Sequence, residues 1–199
     1  NTMFFCLVGS VSDGHDFAGI AKEKGAVAIV CERPLDVDAL QIIVENTRAS
    51  MSRFASNFYN NPMDKLKIVG ITGTNGKTTT TYLCKSVLEE AGFKVGVIGT
   101  IGVWIDDVKL PATLTTPDPI VLHSLFRQMV NKNVDVVVME VSAHAISLCK
   151  MDGIVCDVGA ITNITEDHLD FFKTFDNYKK ILDIFFNLFV SVFISNRIN

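Results

Sequence analysis

The sequence predicts an α/β protein with a small α/β N-terminal domain, residues 1–61, followed by an incomplete, doubly wound, mostly parallel sheet domain, residues 62–199. Short apolar runs alternate with segments of helical spacing about 10–15 residues long, which is typical of a parallel sheet covered by helices on both faces. Strands as apolar as VVVM, before Glu140, fit burial on both sides. A glycine-rich turn also lies between a strand and a helix at residues 73–76.

In the N-terminal domain, apolar runs predict short strands at residues 3–8, 26–31 and 41–44. The segment DGHDF predicts a turn and then a helix that Asp16 caps and that ends near Gly25. Apolar residues at helical spacing predict an amphipathic helix over residues 47–59. Asn60, Asn61 and Pro62 then break the chain, and the domain boundary is placed there.

In the second domain, strands are predicted at residues 66–72, 95–99, 134–140 and 155–162, and helices at residues 77–91 and 119–132. A small hairpin is expected around residues 104–109, and the Pro-rich loop TTPDP precedes the second of these helices.

Charge and composition exclude several classes of protein. A net charge of −4 argues against a general electrostatic grip on nucleic acid. The five cysteines form no Cys-x-x-Cys pair, so we interpret them as reduced thiols. The most apolar stretch, residues 181–194, is interrupted by polar side chains and is shorter than the ~20 residues of a membrane span. We expect a cytoplasmic monomer without a signal peptide, a membrane span or a nucleic-acid partner.

The segment GITGTNGKTT, residues 70–79, predicts a phosphate-binding loop, or P-loop. Glycines let the backbone approach an anion, which the amides and the helix dipole attract, while Lys77 reaches the terminal phosphates and Thr78 approaches Mg²⁺. The common pattern has glycine where this chain has Ile71. A glycine turn with a chance Gly-Lys-Thr is the alternative. The candidate nucleotide-binding residues are Gly73, Thr74, Asn75, Gly76, Lys77, Thr78 and Thr79.

Two further side chains follow strand ends. Glu140 closes a buried strand, so its carboxylate is expected in the same crevice as Lys77 and suits Mg²⁺, although a solvent-exposed glutamate is the alternative. His168 follows the next strand, and on its chemistry alone either a metal ligand or a solvated loop histidine remains open.

Four motifs, GTNGKTT, TTP, MEVSAHA and TNITEDHLD, in this order and spacing, resemble the Mur ligases of peptidoglycan synthesis. The likeness is greatest to the branch that adds the third amino acid to UDP-N-acetylmuramoyl-L-alanyl-D-glutamate, whose uridine-binding domain is similar to DGHDF and KGAVAIV here. The resemblance implies an ADP-forming amide ligase: ATP phosphorylates the D-glutamyl carboxylate, and an amine attacks the acyl phosphate. Bringing two anions together requires charge neutralisation by Lys77 and metal.

The resemblance also implies roles for individual residues. Lys77, Glu140 and His168 would be catalytic; Thr78 and Glu140 would hold one Mg²⁺, and His168 a second together with Glu140. Positions that contact the muramoyl-dipeptide substrate correspond to Thr115, Thr116, Ser142 and Lys150. Lys150 stands where the family often has Arg, so it keeps the charge but loses the bidentate fork. The implied partners are UDP-N-acetylmuramoyl-dipeptide and an amino acid, diaminopimelate or lysine.

The chain departs from the family in three ways. Leu182 stands four residues after Tyr178, where the family carries a lysine that is carbamylated in the active enzyme, and Lys179 and Lys180 lie on other helix faces. The sequence after Leu188 no longer resembles the family. By the resemblance, we expect the rest of the ATPase sheet and the C-terminal amino-acid-binding domain to lie outside these 199 residues. We therefore expect a fragment with little or no activity alone.

Other functions remain open at this point. Another P-loop protein, such as a folylpolyglutamate-synthetase-like ligase or a small-molecule kinase, has no use for the DGHDF domain and the TTP loop. A non-catalytic remnant would leave apolar residues between Phe185 and Ile194 uncovered.

Overall fold

The protein is described by a computed structural model that covers residues 2–186 and the backbone of residues 193–195. The N-terminal unit has a parallel sheet with strands β1 (Thr2–Phe5), β2 (Ala26–Cys31) and β3 (Leu40–Ile43). Its helices are α1 (Ala18–Glu23) and α2 (Thr47–Phe58). The three predicted strands and both predicted helices are therefore present. The second strand has the predicted bounds, and the ends of the other elements differ.

The largest shifts lie in the DGHDF segment. The prediction that Asp16 caps the helix is wrong: Asp13 caps a 3₁₀ turn (Gly14–Phe17) by accepting from the backbone N–H of His15 at 2.9 Å. The Asp13 carboxylate also binds the His15 ring and the Arg33 guanidinium. The hydrogen bond from the His15 backbone amide, followed by these two contacts, holds the pKa of Asp13 well below its usual range. The turn is organised around Asp13 because this one carboxylate receives all three donors.

The second unit has strands β4 (Lys67–Thr72), β5 (Val95–Gly99), β6 (Gly102–Ile105), β7 (Val108–Leu110), β8 (Val136–Glu140), β9 (Val158–Ile161) and β10 (Phe193–Ser195). Its helices are α3 (Lys77–Glu90), α4 (Pro119–Asn131), α5 (Ala143–Ser147), α6 (Leu169–Phe172) and α7 (Phe175–Phe185), preceded by a 3₁₀ turn (Pro62–Lys65). The strand order is β10-β9-β4-β8-β5-β6-β7. The β5-β6 and β6-β7 pairs are antiparallel and the other pairs are parallel, so the predicted mostly parallel α/β fold is confirmed.

Helices cover both faces of this sheet. The larger core joins one sheet face to α4, α5 and α7, and its members include Ile68, Ile98, Phe126, Met139 and Tyr178. On the other face Ile71, Val97 and Val138 pack against Tyr82 and Leu88 of α3. The central strands are apolar throughout because both of their faces are buried.

Helix α7 buries one face, which consists of Tyr178, Leu182 and Phe185. The expectation that Phe185 is uncovered is wrong, because this side chain is fully buried in the larger core. Phe186 is 38% exposed. The remaining apolar residues of this run lie outside the described residues or, in β10, are described by their backbone alone. Lys179 pairs with Asp176 at 3.4 Å, off the buried face of α7.

The two units meet through α2 and α4. Arg127 donates from Nε and Nη2 to the carbonyl oxygen of Tyr59 at 2.8 and 2.6 Å, and from Nη2 to that of Asn60 at 2.8 Å. Ser52 Oγ lies 3.3 Å from Nε2 of the buried His123.

The domain bounds, residues 1–61 and 62–199, remain a prediction. Within residues 2–186 and 193–195, helices of the length and apolarity that a bilayer crossing demands are absent.

Candidate functional site

The phosphate loop connects the end of β4 to the start of α3. Gly73 and Gly76 have φ of 125° and 84°, a left-handed region that a side chain disfavours. A Cβ on Gly73 would also overlap Thr162 Oγ1. Both glycines are therefore required by the turn that brings the backbone amides to the start of the helix.

The side chain of Lys77, the first residue of α3, lies against this loop. Its Nζ donates to the carbonyl oxygens of Gly73 at 2.6 Å and Thr74 at 2.9 Å. Burial lowers its pKa, while the negative charges of Glu140 and Asp167 act in the opposite direction. The ammonium thus lies against the phosphate loop, where its two hydrogen bonds are to loop carbonyl oxygens.

The loop is held in place by the chain that follows β9. The Thr74 amide donates to the Asn163 carbonyl oxygen, and the Asn75 amide to Asn163 Oδ1, each at 3.0 Å. In return, the Asn75 carbonyl oxygen accepts from Thr162 Oγ1 at 2.5 Å and from Asn163 Nδ2 at 3.0 Å. The motif TNITEDHLD therefore begins with residues that fix the shape of the phosphate loop.

Thr74 points its side chain into the protein. Its hydroxyl, in a residue only 8% exposed, lies 3.1 Å from the Thr165 carbonyl oxygen, 2.9 Å from the Thr165 amide and 3.0 Å from the Tyr178 hydroxyl. Burial raises the pKa of Tyr178. Sequence reasoning missed Tyr178 as a support of the loop; the only available signal was its place on the apolar face of a helix.

Glu140 ends β8 with a carboxylate that is fully buried, so the solvent-exposed alternative is wrong. Thr78 Oγ1 donates to Oε2 at 2.9 Å. The Thr100 amide donates to Oε1 at 2.9 Å, and the Thr100 hydroxyl to Oε2 at 3.2 Å. Gly99 leaves room for the carboxylate, since a Cβ there would overlap Oε1.

The oxygens at this point fit Mg²⁺. One carboxylate with hydroxyl oxygens nearby, next to a phosphate loop, is the kind of donor set that Mg²⁺ uses together with phosphate oxygens and water. Glu140 and Thr78 would hold the ion, and they already lie in direct contact. These two ligands of the predicted set are therefore brought together.

His168 has different neighbours. Its Nε2 lies 3.6 Å from Asp167 Oδ2, and its ring centroid is 4.8 Å from that of His144 and 6.3 Å from that of Tyr178. Burial and the His168 charge lower the pKa of His144. Across residues 2–186, three or more His, Cys, Asp or Glu side chains do not gather into a metal-binding group. The second metal site, with His168, stays a prediction.

Three of the predicted substrate residues surround the end of β8. Thr116 Oγ1 donates to the Glu140 carbonyl oxygen at 2.9 Å and accepts from the Ser142 amide at 3.0 Å. Thr115 Oγ1 lies 3.0 Å from Thr100 Oγ1. They therefore form one edge of the crevice that the phosphate loop also borders.

Lys150, the fourth predicted substrate residue, pairs with Asp118 at 2.8 Å, and its side chain is 12% exposed. Asp118 belongs to the TTPDP loop that also carries Thr115 and Thr116. The cation therefore lies beside the same loop, although it is already engaged by a carboxylate.

A strand, a glycine loop and a helix with its leading lysine, followed by a carboxylate at the end of the neighbouring strand, define the P-loop class of α/β proteins. Residues 71–197 match the family model described as the Mur ligase middle domain, and residues 1–59 match the model described as the Mur ligase family, catalytic domain. The chain belongs to the Mur ligase family.

Two curated relatives of this chain are described as the same kind of ligase. The chain is 50% identical over 186 residues to the UDP-N-acetylmuramoyl-L-alanyl-D-glutamate--2,6-diaminopimelate ligase 1 of Clostridium acetobutylicum, covering 92% of this chain and 39% of that protein. It is 46% identical over 185 residues to the corresponding ligase of Geobacillus thermodenitrificans, covering 93% and 38%. The chain thus spans about two fifths of the length of these relatives.

A solved structure of a UDP-N-acetylmuramoyl-L-alanyl-D-glutamate--2,6-diaminopimelate ligase has the same fold. It superimposes with a TM-score of 0.76 at 22% identity, over 94% of this chain and 38% of that one. At this identity the likeness supports the fold.

Proposed function

We propose that this chain forms the uridine-substrate and ATP-binding parts of an ADP-forming amide ligase that joins 2,6-diaminopimelate to UDP-N-acetylmuramoyl-L-alanyl-D-glutamate. The observation that carries the proposal is the phosphate loop with Lys77, whose neighbour Thr78 donates to the buried Glu140 carboxylate at 2.9 Å. The names of relatives 50% and 46% identical support the substrate and favour diaminopimelate over lysine as the third amino acid.

Each part of the site has a task in this reaction. The backbone amides at the start of α3 and the Lys77 ammonium would bind and neutralise the ATP phosphates, a requirement for phosphoryl transfer to a carboxylate. Glu140 and Thr78 would hold Mg²⁺, which when bound supplies further charge neutralisation. Thr115, Thr116, Ser142 and Lys150 would contact the muramoyl-dipeptide, where Lys150 attracts its carboxylates. His168 is proposed as a second metal ligand. We further propose a cytoplasmic location and a monomeric state.

Calorimetry tests the nucleotide site. The wild-type chain should bind a non-hydrolysable ATP analogue with Mg²⁺, and Lys77→Ala should weaken binding at least about tenfold because a charged contact to phosphate is lost. Lys67→Ala is the matched control, since Lys67 pairs with Asp157 at the other end of β4. A wild-type chain without binding, or a Lys77→Ala chain that binds normally, would contradict the proposal.

A ligation assay tests the substrates. The mixture contains ATP, Mg²⁺, the UDP-muramoyl-dipeptide and either diaminopimelate or lysine. We expect little or no ligation by the 199-residue chain, because Leu182 replaces the family's lysine. Binding of the UDP-muramoyl-dipeptide should still be measurable by calorimetry, and its absence would argue against the proposed substrate.

A further inference from the structure

Thr100 contacts both Glu140, beside the phosphate loop, and Thr115, in the loop of predicted substrate residues. None of the sequence motifs includes it. It immediately follows β5, which lies next to β8 in the sheet. Its backbone amide and its hydroxyl each donate to a different oxygen of the Glu140 carboxylate, at 2.9 and 3.2 Å. One residue therefore contacts both oxygens of the buried carboxylate.

The Thr100 hydroxyl also contacts the loop that carries the predicted substrate residues. Its oxygen lies 3.0 Å from Thr115 Oγ1. A hydroxyl has one proton. Because Thr100 uses its proton on Glu140, Thr115 must be the donor in the contact between the two threonines. The hydrogen bonds therefore run in one direction, from Thr115 through Thr100 to Glu140.

These contacts determine how the carboxylate faces the phosphate loop. Oε2 accepts from Thr78 on the α3 side and from Thr100 on the β5 side, and Oε1 accepts from the Thr100 amide. Hydrogen bonds to a charged oxygen are stronger and more directional than neutral ones. Gly99 keeps the approach open, since a Cβ there would occupy the place of Oε1.

We propose that Thr100 is a positioning residue: its amide and hydroxyl orient Glu140 for the metal–nucleotide complex and link that orientation to Thr115 of the substrate loop. The inference rests on the proposed function, because it assigns Glu140 to Mg²⁺.

The test measures, by calorimetry, the Mg²⁺ concentration that gives half-maximal binding of a non-hydrolysable ATP analogue. Thr100→Val removes the hydroxyl and keeps the amide and the shape, whereas Thr100→Ser keeps the hydroxyl. Thr113→Val is the matched control, on an exposed threonine of the segment that leads to Thr115.

We expect Thr100→Val to raise the half-maximal Mg²⁺ concentration about tenfold, the effect of losing one hydrogen bond to a charged group. The half-maximal Mg²⁺ concentration of Thr100→Ser should stay within about twofold of the wild-type value. That of Thr113→Val should equal the wild-type value. Nucleotide binding without Mg²⁺ should be equal in all four proteins, which a merely structural loss would not produce. Thr115→Val should raise the Mg²⁺ requirement in wild type and have no effect in the Thr100→Val background.

Two results would overturn the inference while leaving the proposed function intact. One is a wild-type chain that binds with Mg²⁺ together with a Thr100→Val chain of identical Mg²⁺ dependence. The other is an equal loss of Mg²⁺-free binding in Thr100→Val and Thr100→Ser. A wild-type chain that binds no nucleotide under any condition would instead overturn the proposed function, and the role of Thr100 with it.

Discussion

Glu140 shows how single residues make the candidate site. A buried carboxylate is costly unless its oxygens are hydrogen-bonded, and both oxygens of Glu140 have donors from short side chains or the backbone. Gly99 makes room for this arrangement, since a Cβ there would overlap Oε1. The chemistry of the site therefore depends on glycines and threonines as much as on the charged groups.

Replacing Gly99 with alanine should disturb this carboxylate. The new Cβ would overlap Oε1 of Glu140, so we expect a loss of about 1–3 kcal/mol in the free energy of unfolding, together with weaker Mg²⁺-dependent nucleotide binding. Urea denaturation and calorimetry measure the two effects. Gly19→Ala, in α1, is the control, because its added Cβ meets nothing within 4 Å and should be neutral or stabilising.

Tyr178→Phe should loosen the phosphate loop. It removes the hydroxyl that lies 3.0 Å from Thr74 Oγ1, so we expect about 1 kcal/mol less stability and weaker nucleotide binding. Tyr82→Phe is the matched control: it loses the hydrogen bond from Trp104 Nε1, 3.0 Å long, away from the loop. Its stability should fall similarly while its nucleotide affinity stays unchanged. Equal affinity losses in both variants would argue against a role for Tyr178 in the loop.

At the level of the elements, the packing of α7 limits which side chains residue 182 can carry. Leu182 is 0% exposed and packs in the larger core. A lysine at this place would carry its charge into an apolar environment in the observed packing.

We therefore expect Leu182→Lys to destabilise the chain by about 3 kcal/mol or more, as an uncompensated buried charge does. Leu182→Met, with nearly the same volume, should cost less than about 1.5 kcal/mol. Urea denaturation of both variants provides the comparison. A Leu182→Lys chain as stable as wild type would show that α7 can turn this position away from the core.

Helix α4 contributes a pH dependence through His123. Burial lowers the pKa of His123 from 6.5 to about 4, so at pH 5 the unfolded chain binds a proton that the folded chain does not. Stability is therefore lost as the pH falls through 6.5 towards 4, by about 2 kcal/mol between pH 7 and pH 5. Urea denaturation at both pH values should show a loss smaller by this amount in His123→Gln. An identical loss in the variant would contradict the assignment.

For the whole molecule, Arg127 contributes three hydrogen bonds to the contact between the two units. Its guanidinium binds the carbonyl oxygens of Tyr59 and Asn60, where α2 ends and the chain crosses to the second sheet. We expect Arg127→Ala to increase proteolytic cleavage near residues 59–61 and to lower the melting temperature, since the crossing backbone loses its donors. Arg127→Lys should have a smaller effect because the ammonium retains the positive charge and N–H donors, although it lacks the planar fork of the guanidinium. Unchanged cleavage in Arg127→Ala would contradict this role.

Much of the architecture could be predicted from periodicity. The alternation of apolar runs and helical segments predicted the parallel strands β4, β5, β8 and β9, because strands buried on both faces are apolar throughout. The ends were less predictable: Asp13 and not Asp16 caps the first turn, since the cap depends on how Arg33 and His15 approach. Such approaches join residues distant in sequence.

The amino-acid sequence was sufficient to place the phosphate loop, Lys77 and Glu140, because local strand, turn and helix signals locate them at one sheet edge. Only the tertiary structure placed Thr100 against Glu140 and Thr115, Tyr178 against Thr74, and Leu182 in the core. The physical reason is that a motif reports the backbone conformation of neighbouring residues. A motif does not report which residue a hydroxyl or a buried side chain contacts, because that depends on how separate strands and helices pack together.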